Sequence, residues 1–167
     1  DIGGIGLDIC TELRQKQSKS VNTDAILTGA LGSAVEASNV ANATAFADTD
    51  LSFLVWGSNA GENDFSTTVP DNSTTSTAHL DRVWRADKTN FSNQNITLCF
   101  DGHSDDTYLL ISSGATFATV NHEKQLDASG CVTFMSDDLA DGAYFTLGKN
   151  IVGPACVNGG IQVWLRA

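Results

Sequence analysis

One loop of the sequence gathers the side chains best suited to binding a cation. Asp101, Asp105 and Asp106 stand close together, and Gly102 gives the loop flexibility. Calcium binds several carboxylate and carbonyl oxygens at once, so this loop predicts a calcium site with the three aspartates as ligands. The spacing differs from that of an EF-hand, and the alternative is that these carboxylates are solvated charges on a turn. No other cofactor is predicted.

The side chains that catalysis would need do not form a pattern. His79, His103 and His122 each stand in a polar stretch, and none begins a zinc-protease motif. The sequence lacks the Gly-x-Ser-x-Gly motif that presents a nucleophilic serine. The adjacent acids Asp137 and Asp138 cannot face each other across a cleft, as the two carboxyl groups of a glycosidase do. We therefore expect that the protein is not an enzyme.

Four cysteines, Cys10, Cys99, Cys131 and Cys156, carry the clearest chemical signal. None lies in a Cys-x-x-Cys pair, so a structural zinc site is not expected. The abundance of Asn, Ser, Thr and Gly is typical of an extracellular protein, where cysteines form disulfides. We predict two disulfides, and Cys99–Cys131 with Cys10–Cys156 is the favoured one of the three pairings.

Alternation within the predicted strands supports the first of these pairs. Residues 95–101 place Cys99 opposite their apolar side chains, and residues 131–136 do the same for Cys131. Two cysteines on like faces of two strands can meet across a sheet. The second pair, Cys10 and Cys156, would staple the two ends of one chain together, or would link two molecules covalently.

Composition limits the partners. The chain has 167 residues, 20 of them acidic and 9 basic, for a net charge of −11. This balance argues against nucleic acid and anionic membrane surfaces as partners. A membrane-spanning helix needs about 20 consecutive apolar residues, and no apolar run in this sequence is that long. Membrane insertion is therefore not expected. The length suits one domain, which we place at residues 1–153.

The elements that must position these residues are short strands separated by turn residues. Strands are predicted at residues 23–31, 51–56, 80–86, 95–101, 107–112, 115–121, 131–136, 143–147 and 161–166. A hairpin turn is expected at Ser113-Gly114, and a turn or bulge at residues 3–6. Residues 33–47 are either a helix or a loop with a helical turn. About nine strands predict an all-β, single antiparallel β-sandwich of the jelly-roll or immunoglobulin-like kind.

The last part of the chain, residues 154–167, reads as an apolar strand that needs a partner. Ile161, Val163, Trp164 and Leu165 would be buried when this strand pairs. The partner is the strand's own sheet, a following domain or a neighbouring molecule. Trp164, like Trp56 and Trp84, lies in an apolar strand, which favours core packing over a sugar-stacking platform.

Several strings of residues occur together in a familiar order. They are GGIGLD at 3–8, LRQKQSKSVN at 13–22, LSFLVWG at 51–57, LDRVWR at 80–85 and DGAYFTLG at 141–148. The combination resembles a β-sandwich module of large secreted bacterial surface proteins that accompanies concanavalin A/laminin G-like lectin domains. Residues 159–167 look like the opening strand of such a lectin domain. The resemblance implies an extracellular, non-catalytic, structural or adhesive role and supplies no catalytic residues.

Two functional hypotheses follow. The first is a non-catalytic extracellular structural or adhesive module. As a filament subunit, it would donate Ile161, Val163, Trp164 and Leu165 to a neighbouring copy by strand exchange. The protein would then be a homo-oligomer or polymer at the cell surface. The alternative is a carbohydrate-binding module that recognises surface glycans with exposed aromatic side chains and calcium.

Overall fold

The structure is a computed structural model that describes residues 1–151. This part of the chain contains thirteen strands and one short 3-10 helix, Ser136–Asp138. The strands are β1 (Ile2–Asp8), β2 (Leu13–Gln15), β3 (Gln17–Lys19), β4 (Leu27–Leu31), β5 (Ser52–Ser58), β6 (Thr67–Thr68), β7 (Ala78–His79), β8 (Trp84–Thr89), β9 (Asn95–Phe100), β10 (Thr107–Ser112), β11 (His122–Gln125), β12 (Cys131–Met135) and β13 (Tyr144–Lys149). No helix of the described residues is long and apolar enough to cross a membrane.

The strands form two antiparallel sheets that face each other. Sheet A has the order β11-β10-β13-β8-β5-β1-β2, and the small β6–β7 pair extends it beside β13. Sheet B has the order β12-β9-β4-β3. The prediction of an all-β antiparallel sandwich is confirmed. The described residues contain thirteen strands and not the nine expected, because strands of two or three residues, such as β2, β3, β6 and β7, are too short to show an alternating pattern.

The two tryptophans within the described residues fill the space between the sheets, as predicted. Trp56 is buried, and its indole ring lies against Gly3 and Gly29. A Cβ atom on Gly29 would come within 2.4 Å of the ring, so only glycine fits there. Trp84 is fully buried against Phe100 and Phe145, with ring centroids 5.7 Å apart in both pairs. Aromatic side chains therefore hold the core together.

A partly buried ion network lies in the segment between β7 and β8, where the side chain of Arg82 is 4% exposed and that of Asp24 is 60% exposed. The guanidinium of Arg82 contacts the carboxylate of Asp1 at 2.7 Å and that of Asp24 at 2.6 Å. Arg82 also donates hydrogen bonds to the carbonyl oxygens of Gly61 and Asp24. The hydrogen bond from Arg82 lowers the pKa of Asp24. A buried guanidinium needs such partners, since removing one partner of a buried pair is strongly destabilising.

Two local predictions are wrong, and one open alternative is decided. Residues 3–6 belong to β1 rather than to a turn, because their glycines accommodate Trp56 and Phe53 from β5. Residues 115–121 form a loop instead of a strand, and β10 pairs with β11 rather than through a tight turn at Ser113-Gly114. Residues 33–47 are the loop with a helical turn, in which the Asn42 amide donates to the Ser38 carbonyl oxygen, and not the helix.

Residues 33–47 are held against the corner between β2 and β3 by Asn39. The side-chain oxygen of Asn39 accepts hydrogen bonds from the amides of Lys16 and Gln17, at the corner where β2 turns into β3. Its side-chain nitrogen donates to the carbonyl oxygen of Arg14 at 2.8 Å. The loop therefore covers an edge of both sheets. The proposed boundary at residue 153 and the strand predicted at 161–166 lie outside the described residues.

Candidate functional site

The structure does not bring the predicted calcium ligands together. Asp101 forms an ion pair with Lys19, and Asp106 forms one with Lys149. The hydrogen bond from Lys149 lowers the pKa of Asp106. Asp105 instead offers its backbone carbonyl to the side-chain amide of Gln125. Within residues 1–151, no three His, Cys, Asp or Glu side chains are grouped so that they could hold a metal ion.

The Cys99–Cys131 disulfide is present, as predicted. Cys99 on β9 and Cys131 on the edge strand β12 lie directly opposite each other, with their Cα atoms 4.0 Å apart. Both cysteines lie on the outer face of sheet B, away from buried Val132 and Phe134. A disulfide of this kind persists in an oxidising compartment.

Cys10 lies in the turn that follows β1, a strand of sheet A. It is exposed and forms no disulfide with any residue up to 151. The carboxylate of Asp8 fixes the turn by accepting hydrogen bonds from the amides of Cys10 and Thr11 and from the Thr11 hydroxyl. The other member of the predicted pair, Cys156, lies outside the described residues.

The histidines are dispersed. His79 is buried, its Nδ1 lies 2.6 Å from the carbonyl oxygen of Leu80, and burial lowers its pKa. Burial also lowers the pKa of His103, which packs edge-on against Phe65. His122 lies 4.0 Å from the carboxylate of Asp138. The three imidazoles belong to different strands or loops.

One half of the outer surface of sheet A, which we call the covered face, carries a second layer. Its strands are β10 and β13, and the layer consists of residues 69–77 and 113–121. Val69 and Phe117 of this layer are buried with Leu110 of β10. The contact is close, since a Cβ atom on Gly148 of β13 would lie 2.5 Å from the Ser76 hydroxyl.

Two carboxylates hold this layer in place. Glu123 on β11 accepts hydrogen bonds from the amides of Thr75 and Ser76 at 2.7 and 2.9 Å, and from the Ser76 hydroxyl at 2.8 Å. Asp71 accepts hydrogen bonds from the Val120 amide at 2.8 Å and from Ser73. The hydrogen bonds from Ser73 and from the Val120 amide lower the pKa of Asp71.

The other half of the same surface, which we call the open face, has no such layer among residues 1–151. Its outward residues on β1, β2 and β5 are largely apolar, namely Ile2, Gly4, Gly6, Leu13, Phe53, Val55 and Gly57, and the register places Asp8 and Gln15 on the same side. Ile2 is 75% exposed, and Leu13 and Val55 are each 40% exposed. Gly4 and Gly6 keep the surface low, because Val55 lies beside the first and Phe53 lies across the second.

The open face has distinct borders. At the end where β1 enters its turn, Asp8 closes the outward row of the strand, and Ile9 and Leu51 are exposed beyond it, near Cys10. The Ile9 amide is held there by the carboxylate of Asp50 at 2.8 Å. Toward the covered face, the surface ends at an exposed ion pair of Arg85 and Asp87, 3.0 Å apart. Contiguous exposed apolar surface of this kind marks association sites.

Sequence reasoning missed the open face. The glycines at positions 3, 4 and 6 predict a turn or bulge, so the predicted sheet lacks β1. The signal was nevertheless present, because Phe53 and Val55 leave both faces of their strand apolar. Strands that are apolar on both faces are usually covered on both sides. Among residues 1–151, nothing covers the outer side of this strand.

The edges of the two sheets are less available than this face. The β2–β3 edge is covered through Asn39. On β12, the Cys131 backbone is closed by hydrogen bonds with the side chain and amide of Asp127. On β11, Lys124 forms a 2.9 Å ion pair with Asp138. Short, covered and charged edges are the devices by which sheets avoid pairing with other chains.

The comparisons with known proteins give the chain a family. Neither the curated proteins nor the solved structures provide a match. A family model described as a domain of unknown function, DUF8202, matches residues 1–147, which include every strand from β1 through most of β13. The chain therefore belongs to the DUF8202 family.

Proposed function

We propose that this protein is a non-catalytic extracellular structural or adhesive module that assembles with copies of itself through residues 159–167. The observation that carries the proposal is the open face. An exposed apolar sheet surface marks a site where another protein surface binds, because binding removes its side chains from water. A structural role also agrees with the use of the acidic side chains, since Glu123 and Asp71 hold loops in place.

The disulfide supports the proposed location. Cys99 and Cys131 are bonded to each other, and such bonds are rare in reducing compartments. The strongly acidic surface of a protein with net charge −11 favours solubility at high concentration. Both properties suit a module displayed outside the cell.

Analytical ultracentrifugation of the full chain tests assembly. We expect the sedimentation coefficient of the wild type to rise with protein concentration. The double variant Ile161→Asp/Val163→Asp should remain monomeric, because it places charges in the segment that we propose to be buried. A wild-type chain that stays monomeric at every concentration would contradict the assembly proposal.

Carbohydrate binding is the second candidate, favoured by a cleft of about 270 Å³ beside the 3-10 helix. Carboxylates of Asp137, Asp138 and Asp141 and the amide of Asn121 line it, and such groups bind sugar hydroxyls. A glycan array, read with and without a calcium chelator, tests this function. Binding that Asp138→Asn and Asp141→Asn abolish would support it, and no binding to any glycan would reject it.

A further inference from the structure

We propose that the open face receives residues 159–167 of a second copy of the chain, and that Cys156 of that copy forms a disulfide with Cys10. The inference rests on the proposed function, because it names the surface that accepts the donated segment. It differs from strand addition at a sheet edge, since the segment lies on the outer face of β1 and β5.

The chemistry of the segment matches that of the surface. In an extended chain, Ile161, Val163 and Leu165 project to the same side, and such a row suits the low apolar surface around Gly4 and Gly6. Pairing at a sheet edge would need unpaired backbone N–H and C=O groups, and the sheet edges are protected. Packing on the open face needs only side-chain contacts.

Charge favours this occupant over a second open face. All 20 acidic residues of the chain lie within residues 1–151, whereas residues 152–167 contain no acid and one base, Arg166. Two open faces in contact would bring two strongly acidic bodies together, which repel each other. The segment itself contributes no acidic side chain and one positive charge.

The register of sheet A indicates that the donor is a different molecule. Ile2, Gly57, Arg85 and Tyr144 lie in one row across four strands, and β13 leaves this row in the direction opposite to β1. From the strand rise and spacing, the end of the described chain at residue 151 lies about 30 Å from the centre of the open face. A segment from the same chain would reach it only when almost fully stretched across the covered face.

The cysteines strengthen this conclusion. Cys10 lies at the far end of β1, about 50 Å from residue 151 by the same register. Five extended residues and a disulfide bridge span at most about 25 Å. Cys156 therefore cannot reach Cys10 of its own chain in this fold, and the predicted pair must join two molecules if it forms.

The lengths agree as well. The open face extends from Cys10 to Ile2, which is about 26 Å along the strand. An extended chain from Cys156 to Leu165 covers about 30 Å. With Cys156 beside Cys10, the three apolar side chains of the segment would lie along the open face and Leu165 would lie near Ile2.

Forming this disulfide is an oxidation whose electrons need an acceptor. The Cys10 and Cys156 thiols each lose a proton, the two sulfurs become bonded, and two electrons pass to a disulfide oxidant. Oxidised glutathione serves as that oxidant in the test and is released as two molecules of reduced glutathione.

Sedimentation velocity of full-length variants under reducing conditions tests the surface. Val55→Asp places a charge on the open face and should weaken self-association by about tenfold or more. The matched control is Val21→Asp, the same change at a valine that is 98% exposed and lies outside the open face. The control should assemble like the wild type. Circular dichroism should show that both variants keep the β-sheet spectrum.

Mixing variants separates the two halves of the interface. Val55→Asp keeps its donor segment, and Ile161→Asp/Val163→Asp keeps its open face, so each should be monomeric alone while the mixture forms one-to-one dimers. If the wild type assembles but Val55→Asp assembles equally well, the open face is not the acceptor and only this inference fails. If the wild type does not assemble at all, the proposed function fails with it.

Discussion

The covered and open faces are two halves of one sheet that differ in what lies on top of them. On β10 and β13, the apolar outer side chains are sealed by Val69 and Phe117, and Glu123 and Asp71 fasten the sealing loops. On β1 and β5, side chains of similar character have no cover within residues 1–151. Within this described part of the chain, the fold protects the apolar outer surface of sheet A on one half and leaves it exposed on the other.

The difference assigns different roles to the two halves. The covered face contributes to the stability of the single molecule, because its apolar side chains are already removed from water. The open face contributes little to that stability and gains when another surface covers it. Substitutions in the covered face should therefore lower the free energy of unfolding, whereas those in the open face should mainly change association.

The largest expected difference concerns one phenylalanine from each half. Phe117→Ala removes a fully buried ring and should lower the free energy of unfolding by about 3–5 kcal/mol. Phe53→Ala, on the open face, should cost less than about 2 kcal/mol because its ring is already partly in water. Urea unfolding of both variants measures this. Equal losses would show that the two halves are equally packed.

The second test removes the charge that fastens the covering loop. Glu123→Gln weakens the bonds that its carboxylate accepts from Thr75 and Ser76, and we expect a loss of about 2 kcal/mol. Glu36→Gln is the control, since the hydrogen bonds of Glu36 come from its backbone. Thermal unfolding compares the two. If Glu36→Gln is as harmful as Glu123→Gln, the carboxylate does not fasten the loop.

Glycine substitutions give a smaller and more local contrast. Gly148→Ala would place a methyl group 2.5 Å from the Ser76 hydroxyl and 2.6 Å from Leu110, at an expected cost of about 1–3 kcal/mol. Gly57→Ala lies on the outer side of β5, where the nearest atom would be 3.7 Å away. It should leave stability almost unchanged. A well-tolerated alanine at position 148 would mean that the covering loop is loosely seated.

The smallest effect is a pH dependence at Asp71. Because hydrogen bonds lower its folded-state pKa, its carboxylate stabilises the fold at neutral pH. That stabilisation declines as the pH falls below the ordinary carboxyl pKa of about 3.9 and through the lower pKa of the folded state. The melting-temperature difference between wild type and Asp71→Asn should therefore shrink in acid. A difference that stays constant with pH would exclude this role for the carboxylate.

Much of the interior could be predicted from the sequence, because alternation fixes which side chains face the core. Leu98 and Phe134 are buried, and Cys99 meets Cys131, as the strand patterns predict. The glycine-rich β1 could not be recognised from its own sequence. Its glycines make room for the large side chains of Trp56 and Phe53, which belong to a neighbouring strand. The covered and open faces differ through long-range contacts such as Glu123 with Ser76, which no local pattern contains.

The central claim is that the open face of one copy holds residues 159–167 of another, and isotope mixing with mass spectrometry tests it most directly. Equal amounts of full chain with light and heavy nitrogen are mixed, oxidised with glutathione disulfide and digested without reduction. We predict that many Cys10–Cys156 cross-linked peptides join one light and one heavy partner. Cross-links that join only peptides of the same isotope would place both cysteines in one molecule and contradict the account.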